Sequence, residues 1–362
     1  MTRPAPAPPH RPLRAGIVGA GSISRAHAEG YRASGADLVA IADPDPGAGA
    51  RRAAAYAIPD VYDDAAAMFA AADLDVVSIA TPVSTHHDLV LAAAEAGLHV
   101  LCEKPIALDL AQADAMIRAC DAAGVTLQIG HQMRSDAAIA RAHERIAAGE
   151  IGDVAFVRLR QAHDWGGAAE VRPSFQTRAS GGGGTLLDNG VHLMDLARHL
   201  AGDVEEVYAR VATRRWPVEL EDTAHVSLRF ASGALGSVET SWSATGWEEG
   251  FWVYGSAGAL EWTNRHTDPV LVHASRASGG GDWSTTDVAR ETFAAPKSHT
   301  AQVAAFLAAV RGEGAVPATG TDGREAVRLV LAAYDSAGRG LPVTVGEEAS
   351  DLQAAMAEVD PG

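Results

Sequence analysis

Three residues combine the types needed to move a proton to or from a hydroxyl: Lys104, Asp188 and His192. Glu103-Lys104-Pro105 directly follows the apolar run LHVLC (98–102), and the C-terminal ends of parallel strands form the ligand crevice of an open sheet. Pro105 keeps Lys104 out of helical geometry and so fixes its direction. Asp188 and His192 lie four apart in GGGGTLLDNGVHLMD (181–195), so on a helix they share one face and the carboxylate can orient the imidazole. An imidazole suits proton abstraction from an alcohol near neutral pH. The same residues also admit plainer roles: a solvated lysine, an N-cap at Asp188 and a satisfied core histidine at His192.

A second group has cofactor chemistry. GIVGAGSIS (16–24) closes an apolar run and opens a helical one. Gly19 permits a tight turn, Gly21 lets backbone N–H groups approach a diphosphate, and the helix start adds partial positive charge. Ser24 stands where a third glycine is usual and is small enough for close helix packing. Asp43 follows the next apolar run, 22 positions after Gly21. A carboxylate there can accept hydrogen bonds from the adenosine ribose hydroxyls and would repel a 2′-phosphate, favouring NAD over NADP. It could equally cap the helix that follows DPDP (43–46). Arg51 and Arg52 lie too far into that helix to be assigned to a phosphate.

These residues need a scaffold that brings strand ends together. From Leu13 the chain alternates strands and helices: LRAGIVG, DLVAIAD, DVVSIA, LHVLCE and VTLQIG, separated by helical stretches, the last over Leu110 to Ala123. Five or six short apolar strands with intervening helices predict a parallel sheet covered on both faces. After about Ala148 strand-like stretches follow one another with short turns: Val154 to Ala162, Val204 to Thr213, Ala224 to Phe230, Leu235 to Ser241, Gly250 to Tyr254 and Ala259 to Thr263. Helices remain at about His192 to Leu200, Thr300 to Arg311 and Gly323 to Ser336. The expected fold class is α/β, an N-terminal doubly wound Rossmann sheet plus a C-terminal α+β domain with a large, mostly antiparallel open sheet. Expected boundaries are 1–12 for a disordered Pro-rich leader, 13–131 for the NAD-binding domain, 132–345 for the substrate and oligomerisation domain, and 346–362 for an acidic tail.

Composition narrows the partners. With 362 residues, 47% apolar and 21% charged, two globular domains are expected. A net charge of −17 without a basic cluster argues against nucleic acid. Neither a signal-peptide core nor a membrane-length apolar run occurs, and Cys102 and Cys120 have no metal-finger spacing, which fits reduced thiols in a cytoplasmic protein. His192, Asp195 and His199 have helical spacing but lack a third strong ligand type for a metal, so none is expected. The sheet face not obviously covered by helices suggests a homodimer or homotetramer.

The stretches GIVGAGSIS, ATPVSTHHDLVLAAAEAGLHVLCEKP, IGHQMR and GGGGTLLDNGVHLMDLARHL resemble the Gfo/Idh/MocA oxidoreductases, the glucose-fructose oxidoreductase and inositol dehydrogenase group, over roughly residues 13 to 345. The resemblance implies that Lys104, Asp188 and His192 form a catalytic triad, with His192 as acid/base, Lys104 hydrogen-bonding the reacting oxygen and Asp188 orienting its neighbours. It implies cofactor contacts at Gly19, Gly21, Ser22, Ile23, Asp43, Thr81, Pro82, His86, Glu103 and Lys104. Arg134, Trp165 and Arg178 join the triad as candidate substrate contacts, because guanidinium and aromatic groups suit sugar hydroxyls and faces. The implied substrate is a small sugar, cyclitol or polyol oxidised at a secondary hydroxyl. Two other functions fit the same motifs: glycoside cleavage or sugar exchange with transiently reduced, tightly bound NAD, and non-catalytic sensing of sugar or NAD.

Overall fold

A computed structural model describes residues 11–164, 182–264, 270–276, 286–293, 298–346 and 348–359. The chain divides into two compact units, one of residues 1–103, 116–128 and 299–317, the other of 104–115, 129–298 and 318–362.

The first unit is built on a six-stranded sheet: β1 (Arg14–Val18), β2 (Asp37–Ala42), β3 (Asp60–Tyr62), β4 (Val76–Ile79), β5 (His99–Cys102) and β6 (Leu127–Ile129). Its order is β3-β2-β1-β4-β5-β6, so the chain reverses direction across the sheet between β1 and β4, the topology expected from the sequence. Strands β1 and β4 are buried along nearly their whole length, which explains why both read as continuous apolar runs rather than alternating ones. Helices α1 (Ser24–Ala33) and α2 (Pro46–Tyr56) follow β1 and β2. Helix α3 (Ala65–Ala71) begins at Asp64, whose carboxylate accepts from the Ala67 N–H, and α4 (His86–Glu95) and α5 (Leu110–Ala123) complete the crossovers. Val303, Phe306 and Leu307 join Ile17, Ala28, Tyr31 and Ile41 in one apolar core. These three belong to a helix, Ser298–Val310, that lies far along the chain from the sheet it covers.

The second unit holds a nine-stranded, mostly antiparallel sheet. Helix α6 (Ala137–Ala147), absent from the sequence-based expectation, precedes β7 (Val154–Asp164). Helices α7 (Thr185–Asp188) and α8 (Gly190–Ala201) come before β8 (Val204–Ala212), β9 (Thr223–Phe230), β10 (Leu235–Ser241), β11 (Ser243–Gly255) and β12 (Gly258–Thr263). Then come β13 (Val270–Arg276) and β14 (Thr286–Thr292), and, after the helix α9 (Ser298–Val310) of the first unit, α10 (Gly320–Arg339) and β15 (Val343–Thr344). The sheet runs β14-β13-β12-β11-β7-β10-β9-β8-β15, with β7 and β10 its parallel pair. Leu235, Phe156 and Tyr254 are register partners across three strands and share one face, where Leu235 is 53% and Tyr254 46% exposed.

Two described segments, at residue 11 and after Gly346, are fastened to the folded units by specific contacts. Arg11 of the leader forms a two-point ion pair with Asp75. Beyond Gly346, Asp351 caps α11 (Leu352–Ala355), and Leu352, Met356 and Val359 are buried. The Leu352 and Leu110 N–H groups donate to the carbonyls of Leu108 and Ser350, pinning the segment after Pro105.

Candidate functional site

The glycine turn after β1 is shaped by contacts that only glycine allows. Gly19 has φ +96°, and a Cβ there would lie 2.4 Å from the Ala80 carbonyl oxygen at the end of β4. The turn therefore presses directly on the crossover point of the sheet. A Cβ on Gly21 would meet nothing within 4 Å, so that side of the turn is open. Ser22 and Ile23 lead into α1, whose first turn carries no acidic residue, and Ser24 donates its hydroxyl to the Gly21 carbonyl at 2.6 Å. A closely seated turn, an open face and a helix start suit the diphosphate of a dinucleotide.

Asp43 directly follows β2 and braces this turn. Its Oδ2 accepts from the Ala20 N–H at 2.6 Å and its Oδ1 from the Asp45 N–H at 2.8 Å. The helix cap is Asp45, which accepts from the Gly47 N–H, so the capping alternative for Asp43 falls away. The loop after β4 is fastened from within: Thr85 donates its hydroxyl to Thr81 Oγ1 (2.7 Å) and competes for the Pro82 carbonyl (2.8 Å). His86, 1% exposed, donates from Nε2 to the Thr81 carbonyl at 3.0 Å, which braces the loop. Glu103, also buried, has its carboxylate 2.9 Å from His27 Nε2, while His27 Nδ1 meets the Ser78 hydroxyl and Tyr31 closes the chain on the same hydroxyl. Glu103 is thus anchored within the first unit, immediately before Lys104.

In the second unit Lys104 and Asp188, 84 residues apart, are joined. Lys104 Nζ donates to Asp188 Oδ1 at 2.9 Å and to the Asp188 carbonyl at 2.8 Å. Each side chain is 17% exposed, so the pair is partly withdrawn from water yet reachable. The residue before α8 is Asn189, without a side-chain cap bond, so the Asp188 carboxylate serves Lys104 rather than the helix. His192 sits in the first turn of α8 and is 4% exposed. Its ring stands edge-on to that of His131, with centroids 5.5 Å apart.

Around this group lie Arg134, a candidate from the sequence, and two histidines that the sequence did not single out, His131 and His163. His131 is buried, and burial lowers its pKa, helped by the Arg134 and Lys104 cations and opposed by Asp195 and Asp322. Arg134 is held by Asp195 in a two-point pair (2.8 and 2.6 Å) and by Asp322 at 3.1 Å. Asn189 donates to His163, whose ring stacks on Trp247 at 4.7 Å. Trp165 and Arg178 lie outside the described residues, as do Arg172 and Trp283. Among the described residues no group of three or more His, Cys, Asp or Glu side chains could hold a metal ion, and no helix is long and apolar enough to cross a membrane.

Glu221 fixes the start of α7. Its buried carboxylate accepts from the Gly184 and Leu186 N–H groups and from the Tyr334 hydroxyl, while its carbonyl accepts from Thr185. Burial pushes its pKa up from 4.5 to about 6, because those donors only partly replace water. A carboxyl whose folded pKa is raised binds more protons folded than unfolded, so stability falls as pH rises from 4.5 to about 6. That window is worth about 2 kcal/mol, and Glu221→Gln should flatten it in urea unfolding at pH 4.5 and 7. Parallel pH dependences in variant and wild type would refute the assignment.

Residues 13–131 match the oxidoreductase family with an NAD-binding Rossmann fold, GFO_IDH_MocA, and residues 139–261 match a GFO/IDH/MocA C-terminal domain. The chain is 31% identical to inositol 2-dehydrogenase of Rhizobium meliloti, covering 90% of this chain and 96% of that protein. It is 34% identical to D-apiose dehydrogenase of Paraburkholderia graminis over 64% of this chain and 61% of that protein. A solved levoglucosan dehydrogenase in complex with NADH and levoglucosan is similar in fold, with TM-score 0.84, 25% identity, and coverage of 92% of this chain and 100% of that one.

Proposed function

Because the chain belongs to the Gfo/Idh/MocA oxidoreductases, we propose that it oxidises a secondary hydroxyl of a sugar, cyclitol or related polyol, with NAD as hydride acceptor. The observation that carries this reading is the Lys104–Asp188 contact, which turns two distant motif residues into one charged pair. Bound at the glycine turn, the nicotinamide dinucleotide supplies the hydride acceptor. Gly19, Gly21, Ser22 and Ile23 would hold its diphosphate, and Asp43 its adenosine ribose, which favours NAD over NADP. Thr81, Pro82 and His86 shape the adjoining loop.

His192 takes the hydroxyl proton as the substrate carbon gives up hydride, and returns it in the reductive direction. Lys104 donates to the same oxygen and stabilises the negative charge that develops there. Asp188 orients Lys104 through the two-point contact and balances its charge. Arg134, Trp165 and Arg178 remain candidate substrate contacts. For Arg134 the carboxylates of Asp195 and Asp322 favour a supporting position behind His131. The row of exposed Leu235 and Tyr254 flanking half-buried Phe156 supports assembly into a homo-oligomer through the large sheet.

A panel of myo-inositol, levoglucosan, D-apiose and common aldoses and polyols, incubated with NAD, tests the reading. NADH absorbance with at least one member, and an oxidised product by mass spectrometry, is the expected result. Tight NAD binding without NADH or product from any member would refute it.

A further inference from the structure

Arg52 lies in α2, two turns beyond Asp43, yet its side chain reaches back to the glycine turn: Nη2 donates to the Gly21 carbonyl at 2.9 Å. Its guanidinium carbon sits 5.9 Å from the Tyr56 ring centroid, and its Nε is buried without a hydrogen-bond partner in the protein. Arginines nearby are neutralised differently, Arg51 by Asp45 at 3.6 Å and Arg25 by Glu29 at 3.9 Å. Among the described residues Arg52 forms no ion pair, and a carbonyl does not cancel a full charge. The one acid at the turn, Asp43, is already engaged by the Ala20 and Asp45 N–H groups. A guanidinium carries five N–H donors in a planar fork matched to phosphate oxygens, and here it is fastened to the carbonyl of Gly21, a residue whose own Cβ position is open.

We propose that Arg52 is a cofactor-binding residue whose guanidinium, anchored on the Gly21 carbonyl, contacts a phosphate of the bound dinucleotide. The proposal rests on the dinucleotide reading of the turn and adds a residue that the glycine spacing does not reveal. Two phosphates have the required chemistry, the diphosphate bridge shared by NAD and NADP, and the 2′-phosphate of NADP.

Fluorescence titration of wild type, Arg52→Gln and Arg52→Lys with NADH and NADPH, at low and high salt, separates them. Arg52→Gln should weaken binding by about ten-fold and lessen its salt dependence, with partial recovery in Arg52→Lys. Equal weakening for both cofactors places the contact at the diphosphate, and weakening of NADPH alone places it at the 2′-phosphate. Affinities within two-fold of wild type for both cofactors would overturn the proposal, and a lowered Tm with those unchanged affinities would make Arg52 a brace of the turn only. Wild-type protein that binds neither cofactor would instead refute the dinucleotide reading itself.

Discussion

Lys104→Met is expected to lower kcat for sugar oxidation by about 10²–10³-fold, the usual loss when a preorganised donor to a developing oxyanion is removed. Methionine keeps most of the stem and deletes the ammonium, so packing changes little while both hydrogen bonds to Asp188 disappear. The Asp188 carboxylate then lacks its cation at 17% exposure, adding a stability loss of about 1–3 kcal/mol. These two consequences are separable. NADH affinity should stay within two-fold of wild type, and activity measured well below Tm should still show the full kinetic loss. A variant that is less stable but equally active would make the Lys104–Asp188 pair a structural ion pair and leave the reaction without its proposed electrophilic partner.

His192→Ala should cost about 10²–10⁴-fold in kcat, the range spanned by positioned general acids and bases. The imidazole is nearly enclosed, so its deletion leaves a ring-sized space beside His131. Added imidazole should restore part of the activity by refilling that space, whereas methylated imidazoles too large for it should not. Rescue distinguishes a missing proton acceptor from a collapsed helix, which no small base repairs. Activity within two-fold of wild type in His192→Ala would assign proton transfer elsewhere.

Local signals revealed the parts of this molecule that depend on chain periodicity. The apolar runs ending in Gly19, Asp43, Ala80 and Glu103 became adjacent parallel strands because each is buried on both faces and bounded by a helix. Strand β3 escaped notice because Asp60–Tyr62 has three residues at a sheet edge, too few for a pattern. Helix α6 follows an N-cap, Asp136, whose carboxylate accepts from Ala138, a start signal that the sequence does carry. In the tail after Gly346 the buried positions, Leu352, Met356 and Val359, are apolar residues scattered among charges, too spread to form a readable pattern.

The site divides the same way. Gly19, Gly21 and Asp43 are legible because their chemistry is set by immediate neighbours on a single turn and strand end. Lys104 and Asp188 meet across 84 positions, a contact that family resemblance implied and spacing could not supply. Glu221 left no signal, and spacing does not show the partners of His131 or Arg52: a buried carboxylate, a buried imidazole and a long cation each owe their position to groups brought in from other elements. Sequence distance along α2 leaves Arg52 unassigned, whereas the structure shows its side chain reaching the Gly21 carbonyl.

The most direct test of direct hydride transfer follows the hydrogen itself. With the sugar or cyclitol selected by the panel, deuterated on its carbinol carbons, wild-type enzyme should convert NAD into reduced cofactor carrying one deuterium, in step with formation of the ketone. Unlabelled reduced cofactor, or product formed while NAD shows no net reduction, would contradict net hydride transfer from substrate carbon to nicotinamide.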